Sequence, residues 1–133
     1  EIPLRLVGSE MCIRDRTIPM NHSVLFGSLS GCKLGIWVAH GEGKFSLPYE
    51  EDKYHVIAKY SYDEYPGNPN GSDYSVAGIA SEDGHHVAIM PHLERAFTPW
   101  QNAFYPLDRR NSDQITPWIE AFVNAKNWIA KNK

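Results

Sequence analysis

The sequence predicts an α/β fold: a strand-rich sheet followed by one long C-terminal helix. Three observations predict it. Apolar runs with strand character recur between residues 33 and 91, and clusters of glycine, proline and asparagine separate them. From residue 116 onward the apolar spacing changes to the three-and-four period of an amphipathic helix. A length of 133 residues fits a single domain.

The first sixteen residues, EIPLRLVGSEMCIRDR, show neither period and no signal-peptide architecture. The stretch VGSEMCIRDR resembles the translation of a sequencing-library adapter. Residues 1–16 are therefore set apart as non-native, Cys12 with them, as a fusion scar would be. The native portion is expected to run from 17 to 133 and to be cut off on its N-terminal side.

From there the elements follow in order. KLGIWVAH, 33 to 40, has a continuous apolar centre from Leu34 to Ala39 and reads as a buried strand. GEGKFSL adds a glycine turn and a short strand. YHVIAKYSY, 54 to 62, mixes β-branched and aromatic residues in partial alternation, as a strand with one exposed face does. YPGNPNGSD, 65 to 73, is a loop, because its residues supply fixed φ, positive φ and side-chain caps. SVAGIAS (75 to 81) and HHVAIMP (85 to 91) flank EDG and form an antiparallel hairpin. HLERAFTPWQNAFY holds one helical turn before Pro99. In TPWIEAFVNAKNWIAKNK, Thr116 caps a helix and Pro117 enters its first turn. Trp118, Phe122, Ala125 and Ile129 share a face, and Lys126, Lys131 and Lys133 favour its C-terminal end. One helix covers a two-sided sheet incompletely, so further elements are expected upstream.

Composition narrows the function. The formal charge is −3 and no basic stripe appears, which argues against nucleic acid. No apolar run approaches the roughly 18 residues of a membrane span. Two cysteines, Cys12 and Cys32, make neither a disulfide framework nor a metal spacing, so a reduced, cytoplasmic setting is expected.

Chemistry concentrates after Pro91. His92 and Glu94 are two apart, and in extended backbone such residues point the same way. A carboxylate on one imidazole nitrogen fixes the tautomer and leaves the other to take a proton from a thiol or hydroxyl. The same spacing also suits a surface histidine with a first-turn acid, and spacing alone leaves both readings open. Cys32, after a Ser-Gly turn and just before a strand, has no helix N-terminus and no adjacent base, so it reads as a turn cysteine rather than a nucleophile. His40, beside Gly41 and Gly43, reads equally as a ligand-facing residue or a satisfied turn histidine. His85 and His86 are adjacent and face opposite ways in a strand, so no metal site is expected from them with His92. Tyr60, Tyr62 and Tyr65 read as sheet or rim aromatics, since basic residues do not interleave with them.

Taken together, GIWVAHGEGKF, YPGNPNGS, VAGIAS with its following DG, and IMPHLERAF resemble the class I glutamine amidotransferase domain at the C-terminus of phosphoribosylformylglycinamidine synthase, in its large single-chain form. The resemblance runs from about residue 17 to the end. The family's usual PHPER is PHLER here, with Leu93 in place of a proline. The resemblance implies part of a flavodoxin-like domain with a mixed sheet and a C-terminal helix. It implies His92 and Glu94 as catalytic residues, and a nucleophilic cysteine in a Gly-rich elbow that lies upstream and is absent from this chain. His40, Asn68, Asn70 and Ser72 are implied to lie around the glutamine pocket or a synthetase contact. For the whole protein it implies glutamine hydrolysis that delivers ammonia to a synthetase region of the same chain. That region uses ATP and magnesium to amidate formylglycinamide ribonucleotide in purine biosynthesis, and this fragment itself holds no cofactor. A docking or regulatory module without chemistry, or a truncated standalone glutaminase subunit, are the other readings. The residue at the upstream elbow and the length of the full frame separate them.

Overall fold

The computed structural model describes residues 16–102 and 105–133. The reading of the N-terminal stretch as non-native, and Cys12 with it, thus falls outside the described residues except at Arg16. Among the described residues, five strands form one sheet: β1 (Arg16–Thr17), β2 (Lys33–Leu34), β3 (His55–Tyr60), β4 (Val76–Ala80) and β5 (Val87–Ile89). Their order is β2-β1-β3-β4-β5, and all four pairings are antiparallel. An α-helix, α1 (Ile119–Lys131), follows the sheet near the end of the chain. Strands with one C-terminal helix are the architecture the sequence predicts.

The centre of the sheet follows its sequence pattern. In β3, Ile57 belongs to the main core with Ile18, Phe26, Leu29, Ile36, Leu93, Ala96, Trp118 and Ala121. Ala58 and Tyr60 form a second, smaller cluster with Ala77 of β4. The register of β3 against β4 shifts on either side of Ala58, a bulge next to Gly78.

The β4–β5 hairpin is present as predicted, and its turn is stitched to a neighbouring segment. Gly84 sits at φ +73°, in the left-handed region. Its carbonyl accepts from the Val24 N–H at 2.9 Å. The His22 ring nitrogen donates to the Glu82 carbonyl at 2.6 Å. A methyl group on Gly84 would stand 2.6 Å from the His22 carbonyl oxygen. Gly84→Ala is therefore expected to destabilise the chain by more than about 1 kcal/mol, read as a lower urea midpoint at unchanged slope.

Three expectations need correction. Among the described residues, the strand predicted over 33–40 pairs only at Lys33–Leu34, with Thr17 and Arg16 of β1. Beyond it, the Gly35 carbonyl is taken by the Trp118 indole N–H at 2.7 Å. Ile36 is still buried, as its place in the run predicts. The short strand expected in GEGKFSL forms no ladder. Phe45 and Leu47 bond instead to the 65–73 loop: the Phe45 N–H donates to Ser72 Oγ at 3.0 Å and the Leu47 N–H to Asp73 Oδ2 at 2.7 Å.

The helix is the third. Thr116 does not cap it, because its buried hydroxyl donates to the Ala96 carbonyl. The packed face is also different. Trp118 and Ala121 are buried, and Asn124 donates to the Leu25 carbonyl at 3.0 Å and to Ser28 Oγ at 2.6 Å. A spacing of three with a small residue lets α1 lie against the 3-10 turn Gly27–Leu29. Phe122 and Ile129, expected in the core, are 46% and 54% exposed, and Ala125 is half-buried.

Candidate functional site

The chain leaves β5 through Met90 and Pro91 and enters a 3-10 turn, Leu93–Arg95, that His92 precedes in extended conformation. Leu93 plugs the main core and Ala96 is buried behind it. The Thr116 N–H and hydroxyl bond to the carbonyls of Phe97 and Ala96, which ties this turn to the start of α1. With Pro91 and Leu93 buried, His92 and Glu94 stand on the other side of the backbone. The element before the site is thus a strand end, and the one behind it is the helix entry.

His92 Nδ1 donates to Glu94 Oε1 at 2.7 Å. A carboxylate only accepts, so the proton is on Nδ1 and the lone pair of the neutral ring is on Nε2. The side chains are 43% and 62% exposed, so a group brought from elsewhere can reach Nε2. The hydrogen bond from His92, then that from the Glu94 backbone N–H, holds the Glu94 carboxyl below its ordinary pKa. A carboxylate with a lowered folded-state pKa contributes above its unfolded-state value, and the contribution is lost as pH falls through the folded-state value. The contact is thus expected to persist at mildly acidic pH and to open only below the ordinary glutamate range. Carbonyl-carbon NMR of Glu94 across an acid titration checks this, with a midpoint below that of the free side chain as the expected outcome.

The other predicted residues fall on the 40–47 and 65–73 segments, which lock together. Asn68 and Ser72 are buried and bond to each other twice, Asn68 Nδ2 to the Ser72 carbonyl at 2.8 Å and the Ser72 N–H to Asn68 Oδ1 at 2.9 Å. They shape the loop from inside. Asn70 Nδ2 donates to the Gly43 carbonyl and to His40 Nδ1, both at 2.9 Å. Gly43 offers only an acceptor there, which sets the amide orientation. His40 Nδ1 is then an acceptor, and its Nε2–H donates to Tyr60 Oη at 3.1 Å. Of the tyrosines read as sheet or rim aromatics, Tyr62 and Tyr65 are exposed and Tyr60 is buried under this cluster. The signal for Tyr60 was its parity with Ala58 in β3, with which it shares the smaller cluster.

Cys32 packs against the main core as a free thiol, and its backbone N–H donates to the Leu29 carbonyl at 2.9 Å. No hydrogen bond joins its side chain to His92 among the described residues. His85 and His86 both approach the Asp83 carboxylate, with Nδ1 at 3.4 and 3.9 Å. They precede β5 rather than lie in it, so strand alternation does not separate them as the sequence reading supposed. No group of three potential metal ligands occurs among the described residues. A cleft of about 470 Å³ lies elsewhere, between Leu34, Tyr105, Arg109 and Trp118. No helix of the described residues is long and apolar enough to cross a membrane.

Comparison with known proteins bears on the family and the fold. The chain is 39% identical to phosphoribosylformylglycinamidine synthase of Drosophila melanogaster over 129 residues, covering 86% of this chain and 10% of that protein. It is 38% identical to the Homo sapiens protein of the same name over 120 residues, covering 80% of this chain and 9% of that one. It thus spans about a tenth of the length of these relatives. PurLQS from Thermotoga maritima shares the fold, with a TM-score of 0.62 at 24% identity, over 88% of this chain and 46% of that one. Residues 11–129 match the CobB/CobQ-like glutamine amidotransferase domain, and the chain belongs to that family.

Proposed function

We propose that the chain supplies the base and its orienting acid for glutamine hydrolysis in a phosphoribosylformylglycinamidine synthase. The observation that carries the reading is the 2.7 Å hydrogen bond from His92 Nδ1 to Glu94 Oε1, which turns an unprotonated Nε2 outward. A thiol supplied by polypeptide outside this chain gives its proton to His92 Nε2 and attacks the side-chain amide carbon of glutamine. The tetrahedral adduct collapses to a thioester as His92 protonates the departing ammonia. His92 then takes a proton from water, which attacks the thioester and releases glutamate and the thiol. Glu94 holds the ring and stabilises the imidazolium at both stages.

The name shared by the relatives supports the wider role. Ammonia passes to a synthetase region of the same full-length chain, which amidates formylglycinamide ribonucleotide with ATP and magnesium in cytoplasmic purine biosynthesis. The residues described here take no part in holding ATP or magnesium in this reading. Residues 17–133 form the C-terminal part of the glutaminase domain, and residues 1–16 are foreign to it. The family match begins at residue 11, inside that stretch, so sequencing the parent gene upstream of codon 17 decides the boundary.

Glutamate release by the purified 133-residue chain tests the assignment. No turnover is expected from the chain alone, because its thiols are Cys12 and the core-packed Cys32. Turnover is expected once a polypeptide restores the upstream cysteine. Activity of the chain alone that disappears with His92→Ala would contradict the division of the site between segments.

A further inference from the structure

We propose that His40 and Asn70 are positioning residues that hold the His92 arm in place through Gly43 and Met90. The inference rests on His92 being the base, and concerns how its geometry is kept.

Asn70 stands on a rigid support. The Asn68–Ser72 pair closes the loop, Ser72 Oγ and Asp73 fasten it to Phe45 and Leu47, and the Asp73 N–H adds a bond to the Phe45 carbonyl at 3.0 Å. From that support the two Asn70 amide protons reach the Gly43 carbonyl and His40 Nδ1, one at each end of the 40–43 turn. The buried Tyr60 hydroxyl receives the far side of the His40 ring. The turn is clamped at both ends.

What it touches next is Met90. A methyl group on Gly43 would stand 3.2 Å from Met90 Sδ and 3.8 Å from Met90 Cε, so the glycine backbone lies against that side chain. Met90 is also held by its own N–H, which donates to the Ala77 carbonyl at 2.9 Å. Two residues later comes His92. The base is thus suspended between two fixed points, Met90 on one side and Leu93 in the core on the other. Releasing the clamp frees the Met90 side chain and leaves this point held by its backbone bond to Ala77 alone, and the ring then samples positions from which Nδ1 no longer meets Glu94. The asparagine's own donors are both spent on the turn, which suits a brace better than a ligand contact.

Imidazole nitrogen NMR of the labelled 133-residue chain, at alkaline pH where imidazoles are neutral, tests this without any turnover. In the wild type the Nδ1–H form of His92 is expected to exceed the Nε2–H form by about tenfold, as a hydrogen bond to a carboxylate supports. Asn70→Ala and His40→Ala are expected to lower that ratio severalfold and to shift the Met90 methyl signal. His40→Asn, which keeps an acceptor where Nδ1 stood, is expected to restore both. Gly43→Ala presses on Met90 from the same turn with the clamp intact and is expected to disturb His92 too. An unchanged ratio in a folded Asn70→Ala chain overturns the proposal. So does loss of the fold in both alanine variants, which makes the clamp a stability element. If the ratio behaves as expected and glutamine hydrolysis fails, the functional reading falls and the brace remains.

Discussion

Replacing His92 with alanine, in a polypeptide that carries this chain together with the attacking thiol, is expected to lower glutamine turnover by roughly a millionfold. The thiol then has no base, the ammonia no acid, and the hydrolytic water no proton acceptor, so one substitution removes three transfers. Glu94→Gln is expected to cost roughly ten-thousandfold, because an amide permits the wrong tautomer of the ring while preserving its surroundings. Both variants should bind glutamine nearly as well as the wild type, since the roles assigned to the two side chains are in proton transfer. Steady-state glutamate release checks both, with kcat falling and KM little changed. A loss below about a hundredfold for His92→Ala would fall short even of ordinary general acid–base catalysis and would contradict a shared base.

Trp118→Ala is expected to have the largest effect on stability. Its ring is 2% exposed and meets Phe26 edge-on, with centroids 6.4 Å apart. Its indole N–H holds the Gly35 carbonyl just where β2 loses its ladder partner. Removing a buried tryptophan costs about 3–5 kcal/mol, a large share of the roughly 5–15 kcal/mol that stabilises a domain. Trp118→Phe keeps most of the burial and loses the one hydrogen bond, so about 1 kcal/mol is expected. Urea titrations of the three proteins, compared at a common slope, separate the packing part from the polar part. Equal losses in the two variants would show that the hydrogen bond, not the ring, is what matters.

The strands with their own local signals were legible in the sequence. β3 announced itself by alternation, the hairpin by EDG between two apolar runs, and the 65–73 loop by its prolines, glycines and asparagines. What misled was anything decided by a distant partner. Leu34 to Ala39 has the composition of a strand, yet a ladder needs a neighbour, and among the described residues only Leu34 of this run has one. The four-and-three spacing of Trp118, Phe122 and Ile129 is genuine, but α1 meets a 3-10 turn that admits Ala121 more readily than a phenyl ring. Thr116 has the type and place of a cap, and the Ala96 carbonyl claimed its hydroxyl.

The site was legible to a similar depth. His92 and Glu94 are local in sequence, so a spacing of two sufficed to bring them together, although Glu94 lies in a 3-10 turn and not in the extended backbone the sequence suggested. The fate of Ser72 hangs on its contact with Phe45, across a segment whose strand never formed. No local pattern distinguishes an asparagine that closes its own loop, as Asn68 does, from one that reaches across to another segment, as Asn70 does.

The claim that His92 and Glu94 work as one hydrogen-bonded unit is tested most directly by a double-mutant cycle in glutamine hydrolysis, again with the upstream thiol restored. His92→Ala, Glu94→Gln and the double variant are compared with the wild type by kcat/KM. If the carboxylate acts only through the ring, the double variant is as slow as His92→Ala and no slower. If the two losses multiply, each residue acts on its own and the 2.7 Å contact is not the working arrangement.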